Sequence, residues 1–460
     1  MTLDLARWQF AVVTIFHFFF VPLTIGLSFL VAIMQTLAYR QKDPGWDRLS
    51  RFFGRLFLIN LAVGVVTGIV LEFQFGLNWS SYSVFVGNIF GAPLAIEGLL
   101  AFFLESTFVG LWIFGRGRLS ARLHLATIWL VAVGTVLSVL FILAANAWMQ
   151  HPVGYKVVHG QAVLTNFWLI LGNSTLWAQF AHTVLAAFAT AGALTLAISV
   201  WRAHRDRDDP ASRRAFQSCA HLATGFLLTT AVLTAVAGDS LGRVMDTQEP
   251  MKMAAAEALY HTTNGAPFSL LTITDLSDQP VMQIRVPHVL SLIEDLSWNG
   301  QVPGIDNIQA ADVAKYGPGS YVPMIWLTYW SFRAMVGAGT LMILLGAWGM
   351  YLAWRKKLAE DLWFRRAALV GIALPFLANT AGWIMTEAGR QPWIVYGVML
   401  TAKGVSGVTV ADVAATLAAF VLIYSVLAVI EVALMTRSAR RPLEEPDLGA
   451  TKSLEPSLVY

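Results

Sequence analysis

The chain has 460 residues, of which 57% are hydrophobic and only 13% charged, and its mean hydropathy is +0.61. Soluble globular domains carry about 25% charged residues, so this composition excludes an ordinary water-soluble enzyme and points to a membrane-embedded protein. The net charge is only +3, and the Lys and Arg residues fall in short clusters between apolar runs, a pattern that speaks against nucleic-acid binding.

Nine apolar segments follow one another, near 10–38, 52–73, 92–115, 124–147, 175–201, 216–238, 323–354, 365–388 and 411–436. Each meets the ~20 residues that a bilayer core demands. The first is too long for a cleavable signal peptide and lacks a small-residue cleavage site. The expectation is an all-α polytopic membrane protein with nine transmembrane helices. Residues 1–238 hold helices 1–6, 239–322 form an extracytoplasmic loop, 323–436 hold helices 7–9, and 437–460 form a cytoplasmic, disordered tail. Cys219 is the single cysteine, so no intrachain disulfide is possible and an inert buried thiol is expected.

Basic residues give the orientation. The turn after the first segment has Arg40, Lys42, Arg48 and Arg51, and that after the third has Arg116, Arg118 and Arg122. Arg202, Arg205, Arg207, Arg213 and Arg214 follow the fifth, Arg355, Lys356, Lys357, Arg365 and Arg366 the seventh, and Arg437, Arg440 and Arg441 the ninth. Stretch 74–91 has no Lys or Arg, and 148–174 has only Lys156. The positive-inside rule then puts the N-terminus outside and the C-terminus in the cytoplasm. In the long outer loop, Lys252 to Leu259 reads as a short helix, because Met-Ala-Ala-Ala-Glu-Ala is rich in helix formers.

Polar side chains inside apolar segments mark function by default. His17 lies about three turns into the first segment, or ~14 Å. Glu97 is shallow in the third, and Glu105 lies ~12 Å deeper and about 80° around the helix. His182 lies two turns into the fifth segment, Met335 towards the middle of the seventh, and Glu387 at the outer end of the eighth. Ligand-type side chains from five helices thus share the outer half of the membrane. Taken singly, each histidine also fits a hydrogen bond to a neighbouring helix, Met335 fits packing, and Glu387 fits an ion pair with Arg390. Two carboxylates in one apolar helix are harder to reconcile with a structural role, since they cost several kcal/mol unless paired, protonated or hydrated. His124, His151, His159, His204, His221, His261 and His288 read as surface or structural residues.

Several blocks together resemble one family. They include Trp8-Gln9-Phe10 with His17-Phe18, Gly64-Val65-Val66-Thr67-Gly68, Glu72-Phe73-Gln74-Phe75-Gly76, Gly91-Ala92-Pro93-Leu94-Ala95-Ile96-Glu97-Gly98 and Phe103-Leu104-Glu105-Ser106. Asn146-Ala147-Trp148-Met149-Gln150, His182-Thr183, Arg333-Ala334-Met335 and Gly389-Arg390-Gln391-Pro392-Trp393 complete them. From about Arg7 to Arg437 the chain resembles subunit I of the bd-type quinol oxidases, of the short-loop type. The stretch after Trp393 lacks an Arg-Thr pair often seen in that family.

The resemblance implies a low-spin b haem held by His182 and Met335. It further implies a high-spin pair, one haem b and one haem d or a further haem b, ligated by His17 and Glu387, with Glu97 beside the pair. A His/Met pair closes the iron to other ligands and suits electron transfer. Arg333 and Arg390 are candidates for haem propionates, because guanidinium binds carboxylates as a fork, or they are helix-end residues. Lys252 and Glu257 match quinol-contacting positions; without the resemblance they would read as solvated charges. The implied protein is a respiratory terminal oxidase subunit in the bacterial inner membrane. It oxidises quinol at the outer face and reduces dioxygen to water with cytoplasmic protons passing Glu105, Ser106, Ser138 and Glu97, without a separate pump. The implied partners are a second multi-span subunit, a small single-span subunit and the lipid bilayer. The alternatives from the residues alone are a proton-coupled transporter and a quinone-linked b-type cytochrome that is no oxidase.

Overall fold

The computed structural model describes residues 1–274 and 279–444. Among them, nine helices are long and apolar enough to cross a membrane: Thr2–Gln41, Pro44–Leu77, Ser80–Phe114, Ala121–Gln150, Ser174–Arg205, Pro210–Gln248, Ile325–Trp354, Leu362–Ala388 and Val410–Arg440. They are called spans one to nine below. Local chemistry starts many of them. Asp43, Ser120, Asn173 and Asp209 each accept a backbone N–H of the first turn, and Pro44 and Pro210 stand in first turns where no donor is missed. Thr409 and Asp412 form a reciprocal capping box on span nine.

Span five sits in the middle, packed against spans one, four and six, and 72% of its apolar window is buried. Spans three and nine lie at the periphery, with 6% and 11% buried, so their apolar faces look outward. A helix that is apolar all round is the form such a position in lipid requires. The turns rich in Lys and Arg gather at one end of the bundle. Arg116 pairs with Asp47 at 3.0 Å, Arg213 with Glu360 at 3.4 Å, and the Arg48 Nε donates to the Glu444 carbonyl at 2.8 Å.

Three expectations need correction. Span three begins at Ser80, not near 92. Its first turns are covered by the hairpin Tyr155–Val158/Gln161–Leu164, with Leu164 N donating to Asn88 Oδ1 at 2.8 Å, so polar residues there need no lipid. Span three is also not one regular α-helix. Residues Glu97–Phe102 form a π-turn, so the 80° offset between Glu97 and Glu105 does not hold. Thirdly, the tail boundary at 437 is too early. Span nine continues to Arg440, and Leu443 is buried against the core cluster of Trp46 and Phe53. Residues 445–460, expected to be disordered, lie outside the described residues.

The loop between spans six and seven is a folded layer. It contains the helix Pro250–Glu257, the pair Thr263–Asn264/Gln301–Val302, the hairpin Phe268–Thr274/Pro280–Val286 and the helices Val289–Asp295 and Ile305–Tyr316. Met251, Ala254, Ile305 and Ile308 bury this layer against Ile325 and Tyr329 of span seven.

Candidate functional site

His17 is the last residue of a helix, Thr2–His17, that breaks at Phe18–Phe20 before span one resumes at Val21. Its Nδ1 lies 3.0 Å from the Thr67 hydroxyl. That hydroxyl has one proton, which it gives to the Gly64 or Val63 carbonyl at 2.9 or 3.1 Å. With that proton on its own helix, Thr67 accepts from His17 Nδ1, and in this tautomer the Nε2 lone pair is free. His182 repeats the arrangement. Its Nδ1 lies 3.0 Å from the Thr234 carbonyl oxygen, which only accepts, so Nε2 is again the free acceptor. An acceptor bonded to one ring nitrogen is what orients metal-binding histidines.

Glycine faces each ring. A Cβ at Gly68 would lie 3.1 Å from His17 Cε1, and one at Gly238 would lie 3.1 Å from His182 Cε1. Gly382 faces Met335 in the same way, with a Cβ position 2.9 Å from its Sδ. Three candidate ligands on three spans thus lie in notches that larger residues would fill. Sequence reading singled out these three candidates and missed the notches; Gly68 and Gly382 lie within apolar runs where packing and function look alike.

Glu387 sits at the end of span eight. Its Oε1 accepts from Asn146 Nδ2 at 2.9 Å, and its Oε2 pairs with Arg390. Asn146 Oδ1 in turn accepts from Gln179 at 3.4 Å, three residues before His182. Trp383, one turn before Glu387, stacks on Phe18 with ring centroids 4.5 Å apart, which brings the His17 end of span one beside span eight. Arg390 is buried, and its Nε and Nη1 have no protein acceptor. Unmet buried donors are rare, and two on one guanidinium match a carboxylate-bearing ligand such as a haem propionate. Arg333 is engaged differently. Both of its terminal nitrogens bond Glu257, at 3.2 and 2.6 Å, and only Nε lacks a partner.

Lys252 and Glu257 are both buried on the inner side of the loop helix. Lys252 bonds Glu249 and Gln150. Burial pushes its pKa down, against the pull of Glu249, and pushes the Glu249 carboxyl up. Glu257 takes Arg333 and the Ser269 N–H, at 3.3 Å, and burial raises its pKa against the Arg333 charge. The two loop residues therefore meet different partners: Lys252 reaches towards Glu387 through Gln150, and Glu257 reaches the helix that carries Met335. Glu249 escaped the sequence reading; the signal was an acid three residues before Lys252, followed by Pro250.

Glu97 accepts from the Ser138 hydroxyl at 2.7 Å. It lies within electrostatic reach of Glu72 and of Glu105. Gly134 lets span four approach Glu105, its Cβ position 3.4 Å from the Glu105 backbone nitrogen. Ser106 is exposed and turns its hydroxyl back to the Phe103 carbonyl at 3.3 Å. Among the histidines read as structural, His124 is buried, bonding Gln35 at 2.8 Å and the Trp112 carbonyl at 2.9 Å.

Residues 5–443 match the family model of cytochrome bd terminal oxidase subunit I. The chain belongs to that family. It is 44% identical to cytochrome bd ubiquinol oxidase subunit 1 of Bacillus subtilis (strain 168), across 96% of this chain and 94% of that one. It is 35% identical to cytochrome bd-II ubiquinol oxidase subunit 1 of Escherichia coli (strain K12), across 95% and 96%. The bd oxidase structure from Geobacillus thermodenitrificans superposes with a TM-score of 0.86 at 27% identity, covering 96% of this chain and 98% of that one. The chain is thus a multi-pass bacterial membrane protein and a haem-containing terminal oxidase subunit. Family membership removes the transporter and the non-oxidase cytochrome as alternatives.

Proposed function

We propose that this subunit oxidises quinol at the loop-bearing end of the bundle and passes the electrons to haem iron where dioxygen becomes water. One observation carries the reading: His182 has Nδ1 committed to a carbonyl and Nε2 free, His17 has Nδ1 engaged by the Thr67 hydroxyl, and both rings face a glycine. His182 and Met335 hold the low-spin b haem. His17 and Glu387 each hold one haem of the high-spin pair, the third being haem d or a further haem b. Bound haem supplies the one-electron steps and the oxygen chemistry. Arg390 offers its two unmet donors to a propionate, and Arg333 its single Nε while clamping Glu257.

Quinol binds with Lys252 near one oxygen and Glu257 as acceptor of a hydroxyl proton. Each exchanges a protein partner for the quinol, Lys252 from Gln150 and Glu257 from Ser269. The basic end of the bundle faces the cytoplasm, so the quinol protons leave on the outer side. Protons for water enter from the cytoplasm through Glu105 to Glu97, with Ser138 between spans. Charge separation then needs no separate pump, and each charge moved is worth ~2.3 kcal/mol per 100 mV. A second multi-span subunit and a small single-span subunit cover the outward apolar faces of the peripheral spans.

A pyridine haemochrome assay with an optical spectrum of the purified complex, coupled to quinol-driven oxygen uptake, tests the whole reading. Three haems and oxygen uptake are expected; a correctly assembled complex without haem overturns it. Lys252→Met is expected to raise the apparent quinol KM about tenfold, the loss of roughly one charged hydrogen bond, with turnover at saturation largely kept. An unchanged KM would remove Lys252 from the quinol site.

A further inference from the structure

One buried acid has no part in the proposed machinery. Glu431 lies on span nine, 7% exposed, and its Oε2 has no hydrogen-bond partner. It shares one helix face with Tyr424 and Ser438, spaced by seven residues or ~10 Å each, and all three are buried. That face packs on spans one and two. Tyr424 is 1% exposed, and its hydroxyl is also unpartnered. Its ring lies parallel to that of Phe16, with centroids 4.7 Å apart, and Phe16 precedes His17.

The seam has a fixed register. At the basic end, Arg48 bonds the Leu443 and Glu444 carbonyls and Arg55 pairs with Glu444. At the other end, the Thr416 hydroxyl donates to Gln9 at 2.9 Å, and Gln9 donates to Gln74 at 2.9 Å. Spans two and nine therefore run antiparallel, with Tyr424 near the level of Thr67 and Glu431 about two turns nearer the basic end. On the packed elements Arg55 pairs with Glu444 and Arg51 with Asp47, although the Arg51 Nε has no hydrogen-bond partner, while Arg437 and Arg440 line the outer groove of span nine. Among the described residues no cation pairs with Glu431. A buried acid without a protein partner holds a proton or an internal water, and such a site is costly to keep for packing alone.

We propose that Glu431 is a proton-loading group for the haem at His17, filled from the basic end through water in the seam beneath Tyr424. This rests on the reading of His17 as a haem ligand. As one electron from quinol arrives at that haem, one proton passes from bulk water to the Glu431 carboxylate, so the net charge of the buried region is unchanged. When the electron leaves for dioxygen, the Glu431 proton returns to bulk water at the basic end, and the carboxylate is ready for the next cycle. An electron stored in low dielectric is otherwise opposed by its own uncompensated charge.

The test is reduced-minus-oxidised infrared spectroscopy of the purified oxidase complex, with proton uptake on anaerobic reduction followed by an indicator dye. A carboxylic-acid C=O band that appears on reduction and is lost in Glu431→Gln, together with reduced proton uptake, is the expected result. Glu431→Asp should retain a shifted band. An unchanged band and unchanged uptake in Glu431→Gln overturn the proposal. If that variant fails to assemble, Glu431→Asp decides: a carboxylic-acid band that still appears on reduction but is unmoved from its wild-type position overturns the proposal. The optical spectrum of the wild-type complex separately reports whether haem is bound at all.

Discussion

His182→Ala and Met335→Ala are each expected to abolish the low-spin b signal and to lower quinol oxidation by roughly 100-fold or more, because an iron stripped of an axial ligand changes spin state and potential. The structure makes the two variants informative in different ways. His182 is held by the Thr234 carbonyl, so its removal takes away that hydrogen bond as well as the proposed haem ligand. The Met335 sulfur faces Gly382, with the Cβ position there 2.9 Å away. Met335→Ala thus removes a ligand and little else. A reduced-minus-oxidised spectrum identical to wild type in both variants would rule out this pair as the axial ligands. Met335→His separates ligation from packing: a bis-histidine iron should restore a low-spin spectrum at a lower potential.

Much of this was legible in the sequence because a bilayer leaves few choices. Backbone polar groups in lipid must be satisfied within a helix, so long apolar runs fix the spans, and an ionisable side chain inside one stands out. His17, Glu97, Glu105 and His182 were visible for that reason. The packing that arms them was not. Whether His17 presents Nε2 depends on Thr67, fifty residues away, whose own proton is spent on its helix. The fate of Arg333 was equally hidden, since Glu257 reaches it only after the loop folds back onto span seven. The π-turn at Glu97 breaks helix arithmetic that assumes 3.6 residues per turn, and nothing in Glu97–Phe102 announces it. The loop hairpin was available in principle: Phe268–Thr274 has buried Ser269 and Thr272 facing Tyr329, a polar inner side that a hydrophobic-alternation rule does not find.

Those buried contacts change what the loop residues can be. Lys252 and Glu257 are not free charges awaiting a ligand; Lys252 is tied to span four and Glu257 to span seven. Lys252 reaches Gln150, which together with Asn146 surrounds Glu387 Oε1. Glu257 clamps Arg333, two residues from Met335. Under the proposed function, quinol displaces Gln150 from Lys252 and Ser269 from Glu257, so its arrival is coupled to the neighbours of Glu387 and of Arg333. Family membership alone does not supply that coupling.

Glu105→Gln is expected to slow oxygen reduction by roughly 10²-fold, the usual size of a lost acid–base group, with haem content and quinol KM near wild type. The amide keeps the shape and can still hydrogen-bond, but it cannot release a proton. Span four approaches Glu105 at Gly134, and Ser138, one turn on, bonds Glu97, so the substitution interrupts a line of polar groups without removing its packing. Stopped-flow reduction separates this effect from that of Glu431. Loss of Glu105 should leave electron entry into the haems intact and slow only the steps that consume protons at oxygen. Loss of Glu431 should alter proton uptake during reduction before any oxygen is present. A Glu105→Gln oxidase that turns over at the wild-type rate would show that protons reach oxygen by another path and would remove the span-three carboxylates from the mechanism.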